Sequence, residues 1–182
     1  MIETERLRLR QAEDADIPEL IRYYEENEDH LAPWEPSRFP GFNTVEFWRD
    51  QVRARKADYD AGLGARFFVF PKAEEPRVAG NVSLSQVQRF PAHFCNLGYG
   101  LAAWAEGRGY MTEAVQAVVA YAFDTLRLHR IHANYMPHNR RSAAVLRRCG
   151  FLVEGYARDY LLINGRWEDH ILTARINPRI EP

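Results

Sequence analysis

Four stretches of this 182-residue chain combine residue types that can do chemistry. Gly107-Arg108-Gly109 stands directly ahead of a long apolar-striped run from Tyr110 to Phe123. A helix starting there presents unpaired N–H groups and a partial positive charge, and glycine lets a ligand approach the backbone. On these residues alone, an anion cradle and a plain strand-to-helix turn both stay open. A dinucleotide fingerprint wants a third glycine where Thr112 stands, and a P-loop wants a Gly-Lys-Ser/Thr that the chain lacks. Asn139 and Ser142, three apart, open a second helix; they are either its cap or a hydroxyl placed to give up a proton. Asp169 and His170 interrupt a strand-like run, and Glu35 lies between Pro33 and Pro36, beside Trp34. Either carboxylate is a candidate general base. The alternatives are an internal hydrogen-bonded pair for Asp169-His170 and a groove-lining role for Glu35. Tyr23, Tyr24 and Trp34 are either substrate contacts or core aromatics. His129 and His132, three apart on a strand, fall on opposite faces and make no metal site.

The bulk properties bound what these groups can serve. Hydrophobic residues make up 46% and aromatics 13%, enough for the core of one domain spanning residues 1–182. Lys and Arg number 24 against 25 Asp and Glu, so the charge balance argues against direct nucleic-acid binding. Cys95 and Cys149 have no metal-ligand spacing and fit a reducing interior. No apolar run approaches the roughly 18–20 residues that span a bilayer, so no membrane partner is expected. The first ten residues lack the apolar core of a signal peptide, and the expected location is the cytoplasm.

The elements that must position the candidates follow from periodicity and punctuation. Arg6–Arg10 alternates as a strand with one wet face. Asp14 or Asp16 caps a helix with Pro18 in its first turn and Ile17, Leu20, Ile21 and Tyr24 on one side. The stretch His30–Pro36 breaks it. Asn43 and Glu46 read as a capping box for a helix running to about residue 61, ended by Gly62 and Gly64. Strands follow at 66–70, 78–88 (Val82, Leu84 and Val87 inward) and 93–101. The next helix turns Val115, Val118, Val119, Ala122, Phe123 and Leu126 to one face. A strand from Arg130 to Met136 stops at Pro137, and the Asn139 helix ends at Gly150. Asn164-Gly165 joins two long strands, 151–163 and 166–176, in the strongest hairpin signal of the chain. The order predicts an α/β (α+β) domain with a mixed sheet of about seven strands and about four helices, a right-handed crossover running through the 109–127 helix.

From Leu97 to the Asn139 helix the sequence resembles the acyl-CoA core of the Gcn5-related N-acetyltransferases, the GNAT superfamily. That family carries Gln/Arg-x-x-Gly-x-Gly/Ala at the start of its central helix. Here the stretch is Glu106-Gly-Arg-Gly-Tyr-Met111, in which Gly109 matches while Glu106 and Met111 depart. Asn139-x-x-Ser142, Val145-Leu146, Gly150-Phe151 and Glu154-Gly155 resemble the branch that acetylates ribosomal-protein N-termini at alanine. So do Pro33-Trp-Glu-Pro36, His129-Arg-Ile131, Ala133-Asn-Tyr-Met-Pro-His-Asn139, Glu154-Gly-Tyr-Ala157, Asp159-Tyr-Leu-Leu-Ile163 and Asp169-His170, and the likeness covers nearly the whole chain.

The resemblance implies the GNAT fold with a splayed pair of central strands, acetyl-CoA as cosubstrate without a metal, and direct attack by an amine. It implies that backbone N–H groups of Arg108, Gly109, Tyr110, Met111 and Thr112 hold the pyrophosphate. The N–H of Tyr99 faces the thioester oxygen, and Leu101 pairs with the pantetheine arm. Asn139 lies near pantetheine, and Ser142 protonates the leaving sulfur. The implied acceptor is a protein N-terminus, an alanine of a small-subunit ribosomal protein. The rivals are a small-amine transferase, for an aminoglycoside or polyamine, and a non-catalytic acyl-CoA-binding module. Many relatives carry a Glu where this chain has Asn96, which leaves Glu35, Asp169 or a water-mediated route for the amine proton. The demand on that base is modest: an α-amine titrates near 7.7–8.0, so about a tenth is neutral at pH 7, against a few in ten thousand for lysine. Arg140, Arg141, Arg147 and Arg148 either meet the 3′-phosphate of CoA or simply face solvent.

Overall fold

The computed structural model describes residues 1–179. Among them, eight strands form one sheet: β1 (Ile2–Glu3), β2 (Leu7–Arg10), β3 (Ala65–Pro71), β4 (Gly80–Gln88), β5 (Phe94–Leu101), β6 (Arg130–Tyr135), β7 (Leu152–Ile163) and β8 (Arg166–Ile176). Their order is β1-β2-β3-β4-β5-β6-β8-β7. Five α-helices accompany them: α1 (Ile17–Glu26), α2 (Glu28–Leu31), α3 (Val45–Asp60), α4 (Tyr110–Asp124) and α5 (Arg140–Arg148). The two elements beyond the expected count, β1 and α2, are two and four residues long, too short to show a period.

All strand pairs are antiparallel except β5–β6, the pair joined through α4. That parallel pair is brief. Phe94, Cys95 and Asn96 oppose Arg130, Ile131 and His132, and beyond Asn96 no register continues. From Leu97 to Leu101, β5 is paired with β4 alone. The splayed pair is thus present, and it opens the middle of the sheet.

The α4 helix closes the crossover with a buried stripe of Ala114, Val115, Val118, Val119, Ala122 and Phe123. Leu126 lies past its end and is only partly buried. On the α1–α3 side, Trp48 is fully buried and stacks on Tyr24 with ring centroids 5.0 Å apart, edged by Phe42 and Phe47. Both Tyr23 and Tyr24 are buried, where the period expected Ile21 beside Tyr24.

Two local expectations change, and a third holds for a different reason. Thr44, not Asn43, caps α3, its hydroxyl accepting from the Phe47 N–H at 3.3 Å, because Thr44 has the extended backbone of a cap. Asp16 does not cap α1 through its side chain. Its carboxylate takes Arg10 at 2.5 and 2.7 Å and the Glu13 N–H at 2.8 Å, so the ion pair wins over the cap. Val87 is buried, but only because an irregularity between Ser85 and Gln88 resets the alternation of β4. The Asn164-Gly165 hairpin forms as expected, with φ of 44° and 77° at its two central residues.

Candidate functional site

The parted strands β5 and β6, the start of α4, the start of α5 and the tip of the β7–β8 hairpin enclose a cleft of about 1720 Å³. Its floor is the free edge of β5. The Ala102 N–H donates to Ala79 at 2.7 Å, and the Gly100 carbonyl stands against Gly80, so Gly98 and Gly100 turn their backbone groups toward β4. An antiparallel ladder alternates, so the N–H and C=O of Leu97, Tyr99 and Leu101 point the other way, into the splay. The Leu101 carbonyl shows it directly, meeting His30 Nε2 at 3.2 Å.

At one end of that edge the chain makes the turn into α4. Gly107 and Gly109 both adopt left-handed backbone, φ 74° and 77°. Nothing lies within 4 Å of where a Cβ on Gly107 would sit, so conformation alone requires glycine there. Tyr110, Met111 and Thr112 follow as the first turn of the helix, and with Gly109 they line the cleft. Met111 is also a core residue, 4% exposed. Arg6, itself a cleft residue with Glu113, laces the turn: it donates to the Arg108 carbonyl at 2.7 Å, pairs with Glu113 at 2.6 Å and covers the Tyr110 ring at 5.0 Å. The side chain of Arg108 does not line the cleft. It reaches Glu74 at 3.3 Å across the Trp104 ring.

On the far wall, Asn139 caps α5, its Oδ1 accepting from the Ser142 N–H at 3.0 Å. That frees the Ser142 hydroxyl, whose oxygen lies 2.7 Å from the Tyr99 phenol oxygen. Burial, partly offset by the Ser142 hydrogen bond, pushes the Tyr99 phenol above its ordinary value, so it stays protonated and can pass a hydrogen bond to Ser142. Reading the sequence assigned Tyr99 only a backbone role. The two side chains are 43 positions apart, and no local spacing announces their contact.

The two candidate bases separate. Glu35 lines the cleft, its carboxylate held by Arg38 at 3.3 Å and its carbonyl by the Asn164 N–H of the hairpin at 3.1 Å. Asp169 is not among the lining residues: it accepts from the Tyr156 hydroxyl and from the Asp159 N–H at 2.8 Å, fixing a bulge in β7 where Asp159 has φ 46°. Its partner in sequence, His170, does line the cleft and is 5% exposed, because β8 alternates. Asn96 is spent on Gln86 at 2.5 Å. His30 is a further cleft residue that sequence alone did not mark. It lies 3.4 Å from Glu106, which also pairs with Arg141 at 2.8 Å. Only the fold brings α2, the turn and α5 together.

Comparison with known proteins fits this geometry. The model of the acetyltransferase (GNAT) domain matches residues 6–152. The [ribosomal protein uS5]-alanine N-acetyltransferase of Escherichia coli K12 is 41% identical over 179 residues, covering 98% of this chain and 92% of that protein. The crystal structure of ribosomal-protein-S5-alanine acetyltransferase from Vibrio fischeri superposes with a TM-score of 0.93 at 40% identity, covering 99% of this chain and 98% of the other. Mycobacterium smegmatis RimJ in complex with CoA-disulfide gives 0.88 at 27% identity, over 97% and 84%. With an open strand edge, a left-handed glycine turn and a hydroxyl pair meeting in one cleft, and with this likeness along its length, the chain belongs to the GNAT acetyltransferase family and is an N-acetyltransferase.

Proposed function

We propose that the chain transfers the acetyl group of acetyl-CoA to the α-amine of a protein N-terminus, an alanine of ribosomal protein uS5 or a close counterpart, in the cytoplasm. The observation that carries this reading is the β5 edge, whose Tyr99 and Leu101 backbone groups face a cleft shared with the α4 turn and with Ser142. The names of the full-length relatives support the acceptor.

The residues fit acetyl-CoA. Two glycines bring the backbone of 107–109 close to a ligand, and the first turn of a fifteen-residue helix offers its N–H groups to a pyrophosphate. Leu101 pairs with the pantetheine amides as an added strand would. The cosubstrate supplies an acetyl group already activated as a thioester. The Tyr99 N–H then donates to the thioester oxygen, where charge develops. Ser142, backed by the Tyr99 hydroxyl, returns a proton to the leaving sulfur. Of the two candidate bases, Glu35 lines the cleft and Asp169 does not, which makes Glu35 the group to receive the proton of the amine.

A CoA-release assay tests the substrate. It uses acetyl-CoA with Ala-, Ser- and Met-starting peptides, and with the same peptides blocked at the N-terminus and carrying a free Lys. Turnover confined to free N-termini, fastest with Ala, is expected. Equal turnover on the blocked peptides or on spermidine would replace the α-amine acceptor with a small-amine one.

A further inference from the structure

Behind the acceptor end of β5 lies a shelf of buried polar groups that the mechanism above does not use. The Tyr23 hydroxyl and the Asn81 amide nitrogen have no hydrogen-bond partner among the described residues, and their side chains are 2% and 3% exposed. The two groups neighbour each other, Asn81 turning its amide toward the Tyr23 oxygen, and each keeps donor capacity that no acceptor of the described residues takes up. Both converge on the bare face of Gly100. A Cβ built there would lie 3.5 Å from the Tyr23 oxygen, 3.6 Å from Asn81 Nδ2 and 3.3 Å from Glu35 Oε1. With no side chain at 100, the Glu35 carboxylate, the Tyr23 hydroxyl and the Asn81 amide meet over one patch of bare backbone.

The orientation of the shelf is fixed from behind. Arg66 donates to Asn81 Oδ1 at 3.1 Å and to the Tyr24 hydroxyl at 2.9 Å, which turns the Asn81 NH2 group toward the notch. Arg38 donates to the Tyr24 carbonyl at 2.9 Å while holding Glu35, tying the carboxylate to the helix that carries Tyr23. Burial first, then the nearby Tyr24 and Glu35, push the Tyr23 phenol well above its ordinary value, so it is a donor at any working pH.

We propose that Tyr23 and Asn81 are positioning residues for Glu35: they donate to its carboxylate across the Gly100 notch and keep it aimed at the acceptor amine. This rests on the acetyl-transfer reading given above. In the step it serves, the amine nitrogen bonds to the acetyl carbon, its proton passes to the Glu35 carboxylate, and the carbon–sulfur bond breaks. The Tyr23 and Asn81 protons stay where they are.

The variants Y23F, G100A, E35Q and Y23F/E35Q test it, with an Ala-starting peptide, acetyl-CoA binding measured by calorimetry and thermal melting. Y23F removes a single buried, unpartnered oxygen, so a purely structural Tyr23 would leave melting unchanged or raised and catalysis untouched. The expected result is different: kcat about 10-fold down and acetyl-CoA affinity within twofold, with E35Q down about 10²-fold, at the low end of what a general base contributes. The double variant is expected to be no slower than E35Q, because Tyr23 acts only through that carboxylate. G100A, whose backbone pairs with β4 and not with the cleft, puts a methyl 3.3 Å from Glu35 Oε1 and shifts the carboxylate by a few tenths of an ångström, so a smaller fall in kcat is expected. A Y23F enzyme within twofold of wild type overturns the proposal, as does a Y23F loss that persists in the E35Q background. A wild-type enzyme inert on every free N-terminus overturns the α-amine reading, and this proposal with it.

Discussion

The two halves of the cleft are made of different material. In the reading proposed here the donor half is main chain: the outward-facing backbone of Tyr99 and Leu101, the left-handed turn at Gly107 and Gly109, and the start of α4. The acceptor half is side chains: Glu35 and His170 on the cleft wall, with Tyr23 and Asn81 behind, each from a different element of the fold. A backbone N–H is indifferent to the side chain it carries. That is how Glu106 and Met111 can depart from the family pattern while the turn keeps its shape, Met111 spending its side chain in the core. The acceptor half has no such freedom, since each group there is one residue's side chain.

Where the halves meet, the contrast is sharpest, and the largest effect is expected there. Ser142→Ala removes the hydroxyl proposed to protonate the leaving sulfur, and kcat is expected to fall about 10²-fold at pH 7 with acetyl-CoA affinity unchanged. Tyr99→Phe removes the partner 2.7 Å behind it but keeps the backbone N–H, so a loss of about 10-fold is expected, within the range of one charge-independent hydrogen bond. Single-turnover kinetics with saturating acetyl-CoA separates the two. A Tyr99→Phe loss as large as that of Ser142→Ala would mean that the phenol, and not the serine, carries the proton.

A smaller effect is expected from breaking the main-chain half itself. Gly109→Val places a β-branched residue at φ 77° and a Cβ 3.4 Å from the Arg6 guanidinium. Strain of about 1–3 kcal/mol follows. Acetyl-CoA binding measured by calorimetry is expected to weaken about 10-fold, the same energy expressed as affinity. The kcat at saturating acetyl-CoA should move far less. A fall in kcat with unchanged affinity would show that the turn does more than hold the cosubstrate.

This division also decides what the sequence could reveal. Glycines announce main-chain geometry, so Gly107, Gly109, Gly150 and the Asn164-Gly165 turn were legible, as were α4 and the parallel crossover it forces. Periodicity reported the buried stripe of α4 because 3.6-residue spacing is a local property. Side-chain convergence is not local. Asp169 and Glu35 looked alike as isolated carboxylates, and only the alternation of β8 turns Asp169 out toward Tyr156 and His170 in toward the cleft. Tyr99 meeting Ser142, or Tyr23 lying next to Glu35 behind Gly100, depends on three-dimensional packing between elements that no spacing rule links.

The mildest test asks whether the main-chain half leans on a side chain after all. Glu113 lies one turn into α4 and accepts from the Thr4 hydroxyl at 2.6 Å, the Arg6 N–H at 3.0 Å and the Arg6 guanidinium at 2.8 Å. Burial pushes its carboxyl up, but the Thr4 and Arg6 bonds outweigh that and hold it below the ordinary range. A depressed carboxylate adds stability that is fully present above its unfolded value, near 4.3, and is lost as pH falls through the folded one. Glu113→Gln is therefore expected to lower the melting temperature at pH 7, and to lower it progressively less as the pH falls below about 4. The Arg6 side chain is 45% exposed, so the loss is set at about 0.5–1 kcal/mol. For a chain of this size that is about 1–4 °C. Acetyl-CoA affinity should stay within twofold, because Gly109 and the helix start hold their shape by backbone conformation. A tenfold loss of affinity in Glu113→Gln, matching Gly109→Val, would show that the Arg6–Glu113 clamp is part of the cradle, and the two halves of the cleft would then differ less than their construction suggests.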